Sequence, residues 1–359
     1  MLINTYKKYL IKKFSKKILL ISCIFFILVL IINLIEESNF LKDSETTFLT
    51  PIILTGLNAP SLLFEMFPFI FLISTQFFFI KLFNNNEINI FKYSGLKNLK
   101  IINVLCFLTF FIGLLIISFF YNLSSTFQSY YLQIKSQYST DKLHLAVINK
   151  NGLWIKDIIN KETNIINSSK IDNNFLTDTF ITTFNEDFDL IKSLKSDKID
   201  IKKNQWLIYD AIIFENNTTQ KKKLIKFESN FNQKRIESLF SNLSSLSFLR
   251  LIDLRKNYKL LNYSTVDIDI EIYKIASYPL MLVLMTVLSS AIMFNTKNYS
   301  NTSFKIIIGL FFSVIIYYMN NFFNVLGSTE KIPLMISVWT PMIFLTLITL
   351  TMLVKINDK

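Results

Sequence analysis

Six apolar runs separated by polar stretches set the outline of the chain: Ile18–Ile35, Pro60–Ile80, Ile101–Tyr121, Ile272–Phe294, Phe304–Leu326 and Leu334–Val354. Each approaches the ~20 residues a helix needs to cross the hydrocarbon core of a bilayer. The pattern predicts six transmembrane helices, three on each side of a polar stretch, Asn122–Glu271. The helices are expected over about 18–35, 60–83, 101–121, 272–294, 304–326 and 334–354, so that 1–121 and 272–359 form the two transmembrane halves. The first run is followed by Glu36, Glu37, Ser38 and Asn39 rather than by a small-residue cleavage site, so it is expected to stay as a membrane anchor.

Inside the polar stretch the period changes. His144–Asn149, Leu153–Lys156, Asn164–Asn167, Thr179–Phe184, Leu190–Leu194, Lys198–Lys202 and Trp206–Phe214 are short, rich in β-branched and aromatic residues, and punctuated by Asn, Asp and Lys. About seven strands at roughly ten-residue spacing predict an antiparallel sandwich or open barrel over 122–271. Trp154 and Trp206 are expected in its core or rim. Leu207 and Ile212 should be buried near Trp206, and Lys221–Lys223 exposed. Leu246–Leu261 has helical spacing and should return the chain to the fourth span.

Between the second and third runs lies a polar, basic stretch, Lys81–Lys100, whose sole acid is Glu87. A helix-like segment within it ends at Gly95. Glycine accepts a positive φ without a Cβ penalty and commonly follows a helix end. The stretch (84–96) reads either as a short helix at the membrane surface, able to press on a soluble partner, or as an ordinary loop. Spacing alone does not choose between them.

Charge orients the runs. Alternating from the N-terminus, the segments 1–17, 81–100, 295–305 and 355–359 carry 14 Lys and two acids, whereas 36–59 and 327–333 carry two Lys and five acids. Cytoplasmic loops are enriched in Lys and Arg, so both termini are expected inside and 122–271 outside. The same clustering accounts for most of the net charge of +12 and leaves no basic face for nucleic acid. Cys23 and Cys106 fall within runs, which leaves no disulfide framework for the outer segment. His144 is the only histidine, so a His-rich metal site is excluded, and no GxxxxGK[ST] phosphate loop occurs. No cofactor and no convergent catalytic set are implied; if ATP drives this chain, another subunit binds it. Glu65 and Pro68 interrupt the second run. Glu65 reads either as a residue near the outer interface or as a polar cavity wall.

Several short motifs, in order, carry a resemblance. They are Gly152–Asp157 (GLWIKD) after three spans, Asn185–Ile191 (NEDFDLI), Lys203–Ile208 (KNQWLI), Glu87 followed by Ser94 and Gly95, Pro60 and Pro68 in the second span, Ile275–Leu280 (IASYPL) and Lys331–Leu334 (KIPL). With the three-plus-three layout they resemble the lipopolysaccharide export permeases of the LptF/LptG family, closer to the LptG branch. The resemblance covers essentially the whole chain. It implies a β-jellyroll-like periplasmic domain between helices 3 and 4, and a non-catalytic subunit of an inner-membrane ABC transporter.

The implied partners are an LptF-like paralogous permease, an LptB-like ATPase dimer, and an LptC/LptA-like periplasmic bridge. The implied cargo is lipopolysaccharide or a related lipid. Carried onto this sequence, Glu87, Phe91, Lys92, Ser94 and Gly95 would meet the ATPase. Phe64, Phe67, Phe311 and Ile315 would line an apolar lipid cavity. The family often places basic residues at the outer end of the first helix; here Asn33, Glu36, Glu37, Asn39 and Phe40 stand there, which leaves Lys42 and Lys135 as the phosphate candidates. The competing reading is a membrane sensor or mechanotransmission protein, which would purify without a bound ATPase.

Overall fold

The computed structural model describes residues 5–42, 47–138, 153–159, 161–172, 174–215, 218–233, 236, 242–260, 264–296 and 302–357. The strand expected at 144–149, and with it His144, lies outside them. The helices are α1 (Thr5–Phe40), α2 (Leu49–Asn84), α3 (Glu87–Tyr93), α4 (Asn98–Leu115), α5 (Asn122–Tyr138), α6 (Phe248–Leu260), α7 (Val266–Asn295), α8 (Thr302–Ser328) and α9 (Leu334–Asn357). A π-helical turn, Ile116–Tyr121, joins α4 to α5. Six helical stretches, α1, α2, α4–α5, α7, α8 and α9, are long and apolar enough to cross a membrane.

The helices overrun the apolar runs that announced them. α1 and α2 have 36 residues each, about 54 Å at 1.5 Å per residue against ~30 Å of hydrocarbon. The segment 36–59, counted as a link between the first and second runs, is helical from Leu49 onward, through Pro51 and Gly56. Pro51 sits in the first turn, where a missing N–H costs no helical bond. The third span likewise continues through the π turn to Tyr138. Polar flanks extend these helices because an established helix adds each further residue for one backbone hydrogen bond.

The chain divides into a helical unit (1–131, 244–251 and 266–359) and a second unit (132–243 and 252–265). In the helical unit α2 and α7 form the centre: 67% of the apolar window of each is buried, against 22% for α1 and 17% for α8. Side-chain hydroxyls that donate to backbone carbonyls bind these two helices together. Pro68 has no N–H, so the carbonyl of Phe64 one turn back is left open; Tyr278 donates its hydroxyl to that oxygen at 2.5 Å. The two rings also stack at 4.5 Å. Further along, Ser289 donates to the carbonyl of Leu72 at 2.8 Å. α4 approaches α7 closely where a Cβ on Gly113 would stand 3.0 Å from Pro279 Cα. α8 is tied on by Gln76, whose amide donates to Lys305 O at 2.8 Å and occupies the space a side chain at Gly309 would need.

The second unit holds one sheet of six strands: β1 (Leu153–Ile159), β2 (Glu162–Asp172), β3 (Phe175–Phe184), β4 (Leu190–Asp200), β5 (Gln205–Glu215) and β6 (Thr218–Glu228). Neighbours follow in sequence order and every pairing is antiparallel. This is a meander among the described residues, without the crossovers that the jellyroll expectation carried. The segments 190–194 and 198–202 merge into β4, apart from the last two residues of the second, and β6 was absent from the expectation because its Lys-rich run hides the alternation. Among the described residues β6 is an edge, and lysines on an edge discourage pairing with other chains; Lys221–Lys223 are exposed as expected.

One face of the sheet packs Ile155, Ile166, Ile181, Ile199, Trp206 and Ile208 against Phe231 and Tyr258. Trp206 is fully buried and donates Nε1–H to Phe231 O at 2.7 Å. Leu207 and Ile212 are only half-buried, contrary to expectation. Successive strand residues face opposite sides, so Leu207 cannot share the face of Trp206. The phase then shifts at Asp210, whose φ is +45°, so the inward positions become Ala211 and Ile213. Asp178 on β3 has φ +49° and lies in the same cross-strand row by the register of the flanking pairs. Aspartate tolerates the left-handed region better than most residues, and at Asp210 it accompanies the shift in phase. Buried Asp157 holds the exit of β6 to β1, accepting from Ser229 Oγ at 2.7 Å and Asn230 Nδ2 at 2.8 Å.

Candidate functional site

The stretch between α2 and the third span forms a short helix, and its ends show why. Asn86 takes φ +56° and turns the chain out of α2. Gly95 takes φ +77° after α3. There Leu96 N donates to Phe91 O and Gly95 N to Lys92 O, each at 2.9 Å. That paired pattern closes a helix on a left-handed residue, the role the sequence assigned to this glycine.

α3 has two faces. Ile88 is buried, and Phe91 packs against the helical core. On the other side Ile90 is 58% exposed and Tyr93 90% exposed, beside exposed Lys92, Ser94 and Gly95. Three of the five residues expected to meet an ATPase, Lys92, Ser94 and Gly95, thus stand on the open face. Phe91 turns inward instead, 6.4 Å from the ring of Tyr9. Ile90 and Tyr93 were missed; their i, i+3 spacing opposite Ile88 and Phe91 was the available signal.

Glu87 is engaged within its own chain. Lys13 of α1 lies at 2.5 and 2.6 Å from its two carboxylate oxygens. Tyr9 donates its hydroxyl to Oε2 at 2.8 Å while accepting from Lys13 at 2.9 Å, and Asn85 donates to Oε1 at 2.9 Å. The pair is mostly sheltered, with side-chain exposures of 14% for Lys13 and 16% for Glu87. Burial pushes the Glu87 carboxyl up, but hydrogen bonds from Lys13, Asn85 and Tyr9 and the lysine charge outweigh it and hold the group below its usual 4.5. Neither Tyr9 nor Lys13 was singled out from the sequence. Lys13 is one of six lysines in a run of seventeen residues, and nothing local marks it.

The apolar candidates do not gather on one surface. Phe67 is buried, edge-on to Phe120 at 5.2 Å. Phe64 is half-buried between Tyr278 and Tyr121. Phe311 and Ile315 stand on the exposed face of α8. Lys42 is exposed in the link after α1, and Lys135 is half-buried on α5. Glu37, near the end of α1, is buried and accepts from Tyr131 at 2.7 Å. Asn33 accepts from Asn58 at 3.1 Å. The polar residues there therefore join α1 to α2 and α5.

The chain thus carries six candidate spans, a strand-rich insert and a capped helix between two of those spans. The family model for the lipopolysaccharide export system permease LptF/LptG matches residues 8–355. The chain belongs to the LptF/LptG family. No match is found among curated proteins. The family assignment makes the chain a multi-pass membrane permease of lipopolysaccharide transport, and members of the LptF/LptG family are permease components.

Proposed function

We propose that this LptF/LptG-family chain is one of two paired permeases in a bacterial inner-membrane ABC transporter, and that α3 is its docking element for a separate cytoplasmic ATPase. The observation that carries the reading is the open face of α3. Ile90 and Tyr93 project from a helix capped at Gly95 and anchored through Ile88, between two candidate spans. Large apolar side chains held out on a rigid element, with Lys92 beside them, suit a groove on a soluble partner. The lysine bias supports a cytoplasmic position for this end and a periplasmic one for 122–271.

The partner permease would cover α1 and α8. Their apolar faces are the least covered by the chain itself, and Phe311 and Ile315 lie on that side of α8. Lipopolysaccharide, or a related lipid, would rise between the two permeases into the sheet domain and pass to a periplasmic bridge. Lys42 and Lys135 are the candidates for its phosphates. A jellyroll-like form of the domain would need strands beyond the described meander.

The test is affinity purification from native membranes, followed by identification of bound subunits and measurement of ATP hydrolysis. An ATPase and a second permease should co-purify. Tyr93→Ala should release the ATPase at unchanged membrane abundance. Recovery of the chain alone, with full lipid-independent stability, would favour the sensor reading instead.

A further inference from the structure

The carboxylate of α3 faces α1 of the same chain rather than outward. α3 is covalently continuous with α2 and, through Leu96 and Lys97, with α4. α1 has no such connection, and it is one of the two least buried candidate spans. Beside the Tyr9–Phe91 ring contact, α1 is joined to α3 by the ring of Tyr9, Lys13 and Glu87: lysine to both carboxylate oxygens, lysine to tyrosine, tyrosine to carboxylate. Lys13 also lies 5.1 Å from the centre of the Tyr9 ring. On the same side of α1, Leu10 and Phe14 are fully buried, and Phe14 meets Phe78 of α2 edge-on at 5.4 Å. Lys7, Lys8, Lys12 and Lys16, by contrast, are exposed.

We infer that Lys13 and Tyr9 are positioning residues that clasp α1 to α3, so that force applied to the open face of α3 moves α1 directly as well as α2 and α4. This rests on the permease–ATPase reading above. In it α1 borders the space between paired permeases, and a direct linkage lets that wall move with the ATPase. A charge-assisted ring with three members suits the task, because it holds position and direction together where apolar packing alone would let helices slide.

The test uses the full chain in its purified complex and a charge swap: Lys13→Glu, Glu87→Lys, and the two together. Thermal unfolding of the chain without ATPase reads the clasp itself. Each single substitution should lower the melting temperature, and the double should recover most of the loss. Lipid-stimulated ATP turnover reads transmission. Each single should reduce stimulation about tenfold, within the usual range of coupling between sites, and the double should restore it. Tyr9→Phe should give a smaller loss in both.

Two results would overturn the inference. One is a Lys13→Glu variant with wild-type stimulation beside a dead Glu87→Lys that the swap does not rescue, which would assign Glu87 to a cation on the ATPase. The other is a melting cycle that shows the clasp while turnover ignores it. If no ATPase accompanies even the wild-type chain, the permease reading fails first and the inference falls with it.

Discussion

At the scale of single residues, this molecule places polar groups where a helix has been interrupted or must be held. Pro68 opens the carbonyl of Phe64, and Tyr278 fills it. Tyr278→Phe should therefore destabilise the helical unit by about 1–3 kcal/mol, the cost of a buried acceptor left without a donor. In a Pro68→Ala background the new backbone N–H serves the same oxygen, so the loss should shrink. Thermal unfolding in detergent of the four combinations measures both effects. Glu87 gives a pH prediction. Its carboxyl is held below its usual 4.5, so the clasp stabilises the fold above that value and weakens as pH falls through the lowered one. Glu87→Gln should melt earlier than wild type at neutral pH, and the two curves should converge in strong acid.

At the scale of elements, propensity decided what forms and tertiary contacts decided where it ends. The stop at Gly95 was legible because a left-handed residue after a helix is a local requirement. The faces of α3 were only partly legible: with seven residues, a helix offers too few repeats for a period to stand out. In the sheet, β1, β3 and β5 announced themselves through Trp, Ile, Thr and Phe. The Lys-rich β6 did not, since its partner β5 supplies the order that its own side chains lack. The phase shift was also hidden. Asp210 looks like any surface aspartate until its φ of +45° is known. Asp210→Val should cost about 1–2 kcal/mol, the penalty of placing a Cβ-branched residue in the left-handed region, whereas Asp210→Gly should be close to neutral. Chemical denaturation followed by the fluorescence of Trp206 would check the pair.

At the scale of the whole molecule, six candidate spans and one strand-rich insert, proposed to be exported, make a testable topology. A reporter inserted between Glu215 and Thr218 should be active only outside the cytoplasm, and one fused at the C-terminus only inside. The reverse pattern would invert every functional assignment made above, including the docking role of α3. The burial of α2 and α7 against the openness of α1 and α8 makes a second expectation. Polar substitution at Leu72 or Leu288, both fully buried, should abolish accumulation of the chain alone. The same change at Phe311 or Ile315 should leave the isolated chain folded and impair only its pairing.

The sequence by itself determined the six long apolar helical stretches and the strand character of the insert. These follow from run length and period, which are properties of neighbours along the chain. It also carried the motifs of the LptF/LptG family. Only the tertiary structure decided that Phe64 and Phe67 turn into the bundle while Phe311 and Ile315 stay open, because the facing of a uniformly apolar helix depends on which neighbours cover it. The same holds for Glu87. A carboxylate at the start of a short helix could cap it, meet a partner or meet its own chain. The choice was made by Lys13, 74 residues away, and a pairing at that separation leaves no mark in the local pattern.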